Sequence, residues 1–210
     1  MRLNPLIVAR FSLLLLGVFL AMPSFAQNSS LDQAAVVLAQ VTGKDVRPFS
    51  SRDFGREHNP KGRSVLIPND SAERFLELVR QQLPPGAIAF VGVTNSLAHP
   101  KPEGVELVVA EGKDQFDILR VASTDGINYG LQTEDIVREL QIWDQEYGID
   151  IWQAETDTVQ LRLRTTPKNL HEFAARVYKF CPDIVDQGVG DIRALEQAIA
   201  ESKGVFLWWD

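Results

Sequence analysis

Apolar positions recur along the chain in two periods, and they divide it into helices and strands. A spacing of three to four residues marks "SSLDQAAVVLAQVTG", with Ser30 as the expected cap and Gly43 as the stop, and "NDSAERFLELVRQQL", with Asp70 capping and Glu73 returning a capping-box contact. Between them, residues 44–63 are polar. After the second helix, "AIAFVGV" and "GVELVVAEG" are nearly continuous apolar runs of the β type, and "FDILRVAS" leads through the Asp125-Gly126 turn into "INYG". This half therefore reads as helix followed by strands.

The second half repeats that order. "EDIVRELQIWDQEYG" is capped by Thr133 and ended by Gly148, and it carries a broad apolar stripe from Ile136 to Tyr147. "IDIWQAE" and "TVQLRLR" follow as strands. In the latter, Val159, Leu161 and Leu163 alternate with Gln160, Arg162 and Arg164, which predicts a sheet with one wet side. The face that Trp152 takes depends on the register set near Asp157, because a slip of one residue moves every side chain to the other face. Thr166 and Pro167 open "KNLHEFAARVYKFC", Pro182 stops it, and "DIRALEQAIAESK" precedes the last strand, "VFLWW". With Phe206 and Trp208 on one side and Leu207 and Trp209 on the other, that strand reads as internal to its sheet. The expected fold is α+β, a single domain with a mixed or antiparallel sheet packed with helices. The helix, strand, strand order of both halves hints at a duplicated unit.

The start of the chain has the form of an address. Arg2 and Arg10 precede the apolar run from Phe11 to Met22, which is short for a membrane span, and Ser24 and Ala26 stand in the spacing read by a signal peptidase. Residues 1–26 are thus expected to be a signal peptide, with 27–63 an N-terminal helix and polar connector and 64–210 the α+β domain. The expected location is periplasmic or secreted, with no stable membrane anchor after cleavage. Removing 26 of 210 residues leaves 184 and, with the loss of two arginines, moves the formal charge from −7 to −9. Such a body repels nucleic acid, whose phosphates need a positive footprint. The connector 44–63 is locally basic, and it reads as a solvated stretch tacked down by Phe49 and Phe54.

Candidate chemistry gathers in "KFCPDIVDQGVGD". Cys181 is the only cysteine, so no internal disulfide forms. It stands at the negative end of its helix beside Asp183 and Asp186, where a thiolate is disfavoured, and it reads as a buried structural thiol. The candidate functional loop comprises Cys181, Asp183, Asp186, Gln187, Gly188 and Asp191. Turns, backbone hydrogen bonds and a helix cap at Asp191 account for its acids without an added partner. Trp208 and Trp209 form a second candidate, an aromatic site. His58, His99 and His171 lack zinc spacing, and no common hydrolase or nucleotide signature occurs, so no metal and no cofactor is expected.

"TDGINYG", "IWDQEYGIDIWQAETDTVQLRL", "FCPDIVDQGVG" and the terminal "FLWWD" together resemble the bacterial family called domain of unknown function 4253, over about Val105 to Asp210. The resemblance implies a compact α+β domain ending in the WWD strand, and no activity or catalytic residues. The chain is therefore read as an exported binding or interaction module with a possible protein partner. The alternative is a hydrolase-like or metal-assisted enzyme with Asp183 or Asp186 as base or ligand.

Overall fold

The computed structural model describes residues 29–52, 56–58, 60–94, 99–100 and 103–210. The expected signal peptide and its cleavage point lie outside these residues, as does Phe54. The fold is α+β, built on one seven-stranded mixed sheet. In chain order the elements are α1 (Ser30–Thr42), β1 (Arg47–Phe49), β2 (Gly62–Ile67), α2 (Ala72–Arg80), β3 (Ala87–Gly92), β4 (Val105–Glu111), α3 (Asp117–Ala122), α4 (Thr133–Tyr147), β5 (Ile149–Ala154), β6 (Thr158–Leu163), α5 (Leu170–Phe180), α6 (Ile192–Ser202) and β7 (Gly204–Trp208). The strands lie in the order β1-β2-β4-β3-β5-β6-β7, and among the described residues only β3 and β5 pair in parallel.

Side-chain alternation sends two apolar sets to opposite faces. Val65, Ile67, Ala89, Val91, Leu107 and Val109 meet α1 and α2 on one face. Ile88, Phe90, Val108, Ile151, Leu161 and Leu207 belong to the larger core on the other, with the buried faces of α3 to α6. Trp143 anchors that core, set edge-on to Phe173 and Phe180 at ring distances of 5.2 and 5.8 Å. The units α2-β3-β4 and α4-β5-β6 share one order. β3 and β5 run parallel between them and the two helices lie on opposite faces, as a two-fold rotation along the strands would place them.

Several sequence expectations shift. Asp117–Ala122 within "FDILRVAS" is a short helix, because Ile118, Leu119 and Ala122 bury together only on a helical turn; "INY" is a 3-10 turn, not a strand. The helix caps fall at Ser29, Gln132 and Asn169, each one or more residues from the expected position. Asn69–Ser71 is a 3-10 turn leading into α2, whose start has no side-chain cap. The last strand is an edge strand, not an internal one: among the described residues β7 pairs with β6 alone, Phe206 is 45 % exposed, and its apolar character comes from the helices below rather than from a second neighbour. A bulge between Ile151 and Gln153 settles Trp152, which packs towards the α1-α2 core and carries the Arg162 guanidinium 5.4 Å from its ring centre.

The basic connector is not merely solvated. Phe49 is buried, and Arg56 reaches the buried carboxylate of Glu106 through two nitrogens, at 3.2 and 2.7 Å, while Arg47 stands 3.3 Å away. Ser64 and Thr94 donate their hydroxyls to the same carboxylate. Burial alone would raise the Glu106 pKa, but these donors and the Arg56 charge hold it below the usual carboxylate range.

Candidate functional site

An edge strand leaves a row of main-chain groups without a partner. At the end of β7 that row is met by the segment following α5. Cys181, the residue after the last turn of α5, is fully buried, and its thiol donates to the Trp208 carbonyl at 2.9 Å while accepting from the Trp208 N–H at 3.2 Å. Two residues on, the Asp183 carboxylate accepts the Asp210 N–H at 2.9 Å. The Trp209 indole N–H donates to the Phe180 carbonyl, and its ring sits edge-on to Phe180. At the other end of the strand, Gly204 donates its N–H to Ser202 Oγ. The cysteine and the first aspartate thus clip the chain end to the rest of the fold. Burial pushes the Cys181 thiol up to about 11, so it is neutral at ordinary pH.

Asp183 is 2 % exposed and is also the centre of a small network. It accepts from the Tyr129 hydroxyl at 2.5 Å and from the Gln187 amide at 2.9 Å. Burial opposes its charge, yet these donors and the Asp210 N–H outweigh that and hold its carboxyl below the usual range. The hydrogen bond to Asp183 in turn pushes Tyr129 up to about 12. Asp186 accepts from the Tyr178 hydroxyl at 2.8 Å, Gly188 lies in the turn over the Asp183 carbonyl, and Asp191 caps α6 by accepting the Ala194 N–H at 2.8 Å. Ile184–Val189 is a π-helical turn, closed by a bond from the Gly190 N–H to the Val185 carbonyl, and Gly190 supplies the positive φ of +91° at its end. Asp183 and Asp186, the base or ligand of the enzyme alternative, are both engaged by tyrosine hydroxyls. Among the described residues, no group of three or more histidine, cysteine, aspartate or glutamate side chains is arranged to hold a metal ion.

The aromatic pair does not form one site. Trp209 is 3 % exposed in the main core, whereas Trp208 is half-buried on the opposite face.

Next to the clip lies a cleft that sequence reasoning missed. Four distant segments build it. The Asp125 N–H donates to the Thr156 carbonyl at 2.9 Å, Thr124 Oγ1 to the Glu155 carbonyl at 2.6 Å, and the Trp209 N–H to the Asp157 carbonyl at 3.0 Å. Gly126 lets the chain pass so close to Trp209 that a Cβ there would stand 3.0 Å from the indole. The resulting cleft of about 430 Å3 is lined by Asp125, Asp157 and Asp210, by Ser51, Arg52, Ser123, Asn128 and Thr156, and by Ile127 and Trp209. Burial, then the neighbouring charges of Asp210 and Asp125, raise the pKa of Asp157. Glu155 is raised too, by burial and by Asp157. Ile127, 64 % exposed, and Tyr129, 42 % exposed, stand on the adjoining turn. "TDGINYG" and "AETDT" gave the signal, two turn-forming acidic stretches, but nothing in them says that they meet.

Three of the four segments meeting here, those around Asp125, Asp157 and Asp210, are ones that carried the family resemblance, and Ser51 and Arg52 lie outside it. The model of the family described as a domain of unknown function, DUF4253, matches residues 106–210, and the chain belongs to that family. No curated protein and no solved structure matches the chain.

Proposed function

We propose that the protein is an exported binding module, periplasmic or secreted, whose cleft receives a cationic side chain of a partner protein. One observation carries this reading: Asp125, Asp157 and Asp210 face one cleft, and Asp157 is held there against burial and the charges of its neighbours. A lysine or arginine side chain would relieve that repulsion. The exposed Ile127 and Tyr129 beside it supply an apolar margin of the kind that interfaces use. The clip at Cys181 and Asp183 then has a supporting task, because it holds Trp209 and Asp210 in the cleft wall.

Calorimetry with short peptides that differ only at a central lysine, arginine, glutamine or glutamate tests the reading. Lysine or arginine peptides should bind, more weakly at high salt, and Asp125→Asn with Asp157→Asn should remove binding while the protein stays folded. Equal binding of the glutamine peptide would sink the proposal. For export, intact mass of the protein recovered from the native host should start at Gln27; retained Met1 would refute it.

A further inference from the structure

We propose that the uncovered face of β5, β6 and β7 binds a neutral saccharide chain, at a site separate from the acidic cleft. The helices α1 and α2 pack on β2, β3 and β4 and reach β5 through Trp152 and the Arg80–Asp150 pair, so that among the described residues the same face opens towards β7, where Phe206 is 45 % exposed. On that face Phe206 and Trp208 stand two residues apart along β7, the first 45 % exposed and the second half-buried. Directly opposite them on β6 are Gln160 and Thr158, and Gln153 of β5 lies beyond Gln160. The face is thus an aromatic column beside a row of amides and a hydroxyl. Aromatic rings stack on the C–H faces of a sugar while amides and hydroxyls take its edge, which is the chemistry of a ligand apolar on one side and polar around its rim.

Size and charge choose this occupant over others. Three strands about 4.8 Å apart and about six residues long offer on the order of 250 Å2, well below the roughly 800 Å2 per partner of a stable protein interface. Arg162 is engaged by the Trp152 ring, by Glu73 at 2.7 Å and by Asp150 at 3.6 Å, and Arg80 by Asp150 at 2.7 Å. The cations near this face are therefore balanced by carboxylates, which disfavours nucleic acid and anionic lipid.

Affinity electrophoresis of the full chain in native gels containing soluble starch, hydroxyethylcellulose or glycol chitin tests the inference. At least one polymer should retard the protein, and Phe206→Ala should weaken that retardation about tenfold, the loss expected from one stacked ring. Because Phe206 is exposed, the variant should melt as the wild type does, and Asp157→Asn should leave retardation intact, which separates this site from the cleft. No retardation by any of the three polymers, or retardation indifferent to Phe206→Ala, would overturn it. So would a wild-type dimer in sedimentation that Phe206→Ala dissociates, since the face would then belong to a second copy.

Discussion

The two halves of the sheet answer the same problem differently. β3 and β4 are buried on both faces, by α1 and α2 on one side and by the main core on the other, and the face of β2 and β4 beyond that core is closed by the connector around Glu106. Among the described residues, β6 and β7 bury one face, and β5 does so except at Trp152, which packs towards α1 and α2. The side chains of these three strands alternate between buried and half-exposed, whereas those of β3 and β4 are buried almost without interruption. Two-sided burial makes a strand a structural element whose every side chain counts. One-sided burial leaves a face open, and the exposed Phe206 stands there while the acidic cleft lies at the end of the same strands.

That contrast predicts a gradient of mutational effects. The largest belongs to doubly covered or core aromatics: Phe90→Ala and Trp209→Ala should each cost about 3–5 kcal/mol in urea denaturation. Trp208→Ala should cost clearly less than Trp209→Ala despite being its neighbour. Equal losses at the two tryptophans would mean that the edge strand is covered in solution.

Next comes the carboxylate that closes the first half. Glu106→Ala leaves Arg56 and Arg47 beside an empty site and should cost about 3–5 kcal/mol, as breaking a buried pair does, while Glu106→Gln should cost less by keeping an acceptor. The sign of its pH dependence follows from a depressed folded pKa. Its stabilisation is present above the ordinary value of 4.5 and is lost as pH falls through the folded value. The wild type should therefore lose stability below about pH 4.5 more steeply than Glu106→Gln; parallel acid profiles would remove Glu106 from the account.

The smallest effect has the opposite sign. The pKa of Asp157 is raised, so its protonated form favours the fold: that contribution is complete below the ordinary value of 3.8 and disappears as pH rises through the folded value. Asp157→Asn should thus raise the melting temperature modestly at pH 7, and the gain should shrink in acid. A destabilised variant at pH 7 would show that the carboxylate serves the fold instead of the cleft.

Much of this molecule was legible in order of elements. The α+β class, the long helices and the wet side of β6 follow from apolar periodicity, because a side chain's face is set by its own strand or helix. The six-residue α3 was not legible, since "FDILRVAS" fits a strand nearly as well as a helix over so short a window. "VFLWW" reads as a strand buried on both sides for a related reason: alternation tells which side chains share a face, not whether anything covers that face.

Cys181 shows where the chain's own pattern stops. Its position at a negative helix end among acids determined that it would be a poor nucleophile, because those influences act locally. That its sulfur would serve the main chain of Trp208, 27 residues away, was decided only by the packing that makes β7 an edge. The same holds for Glu106 with Arg56 and for Asp125 with Asp157. Periodicity and caps are properties of neighbours in the chain, and they determined the elements. Partners across the sheet are chosen by topology and register, which balance the burial of the whole core at once, so the clip, the cleft and the open face belong to the tertiary structure alone.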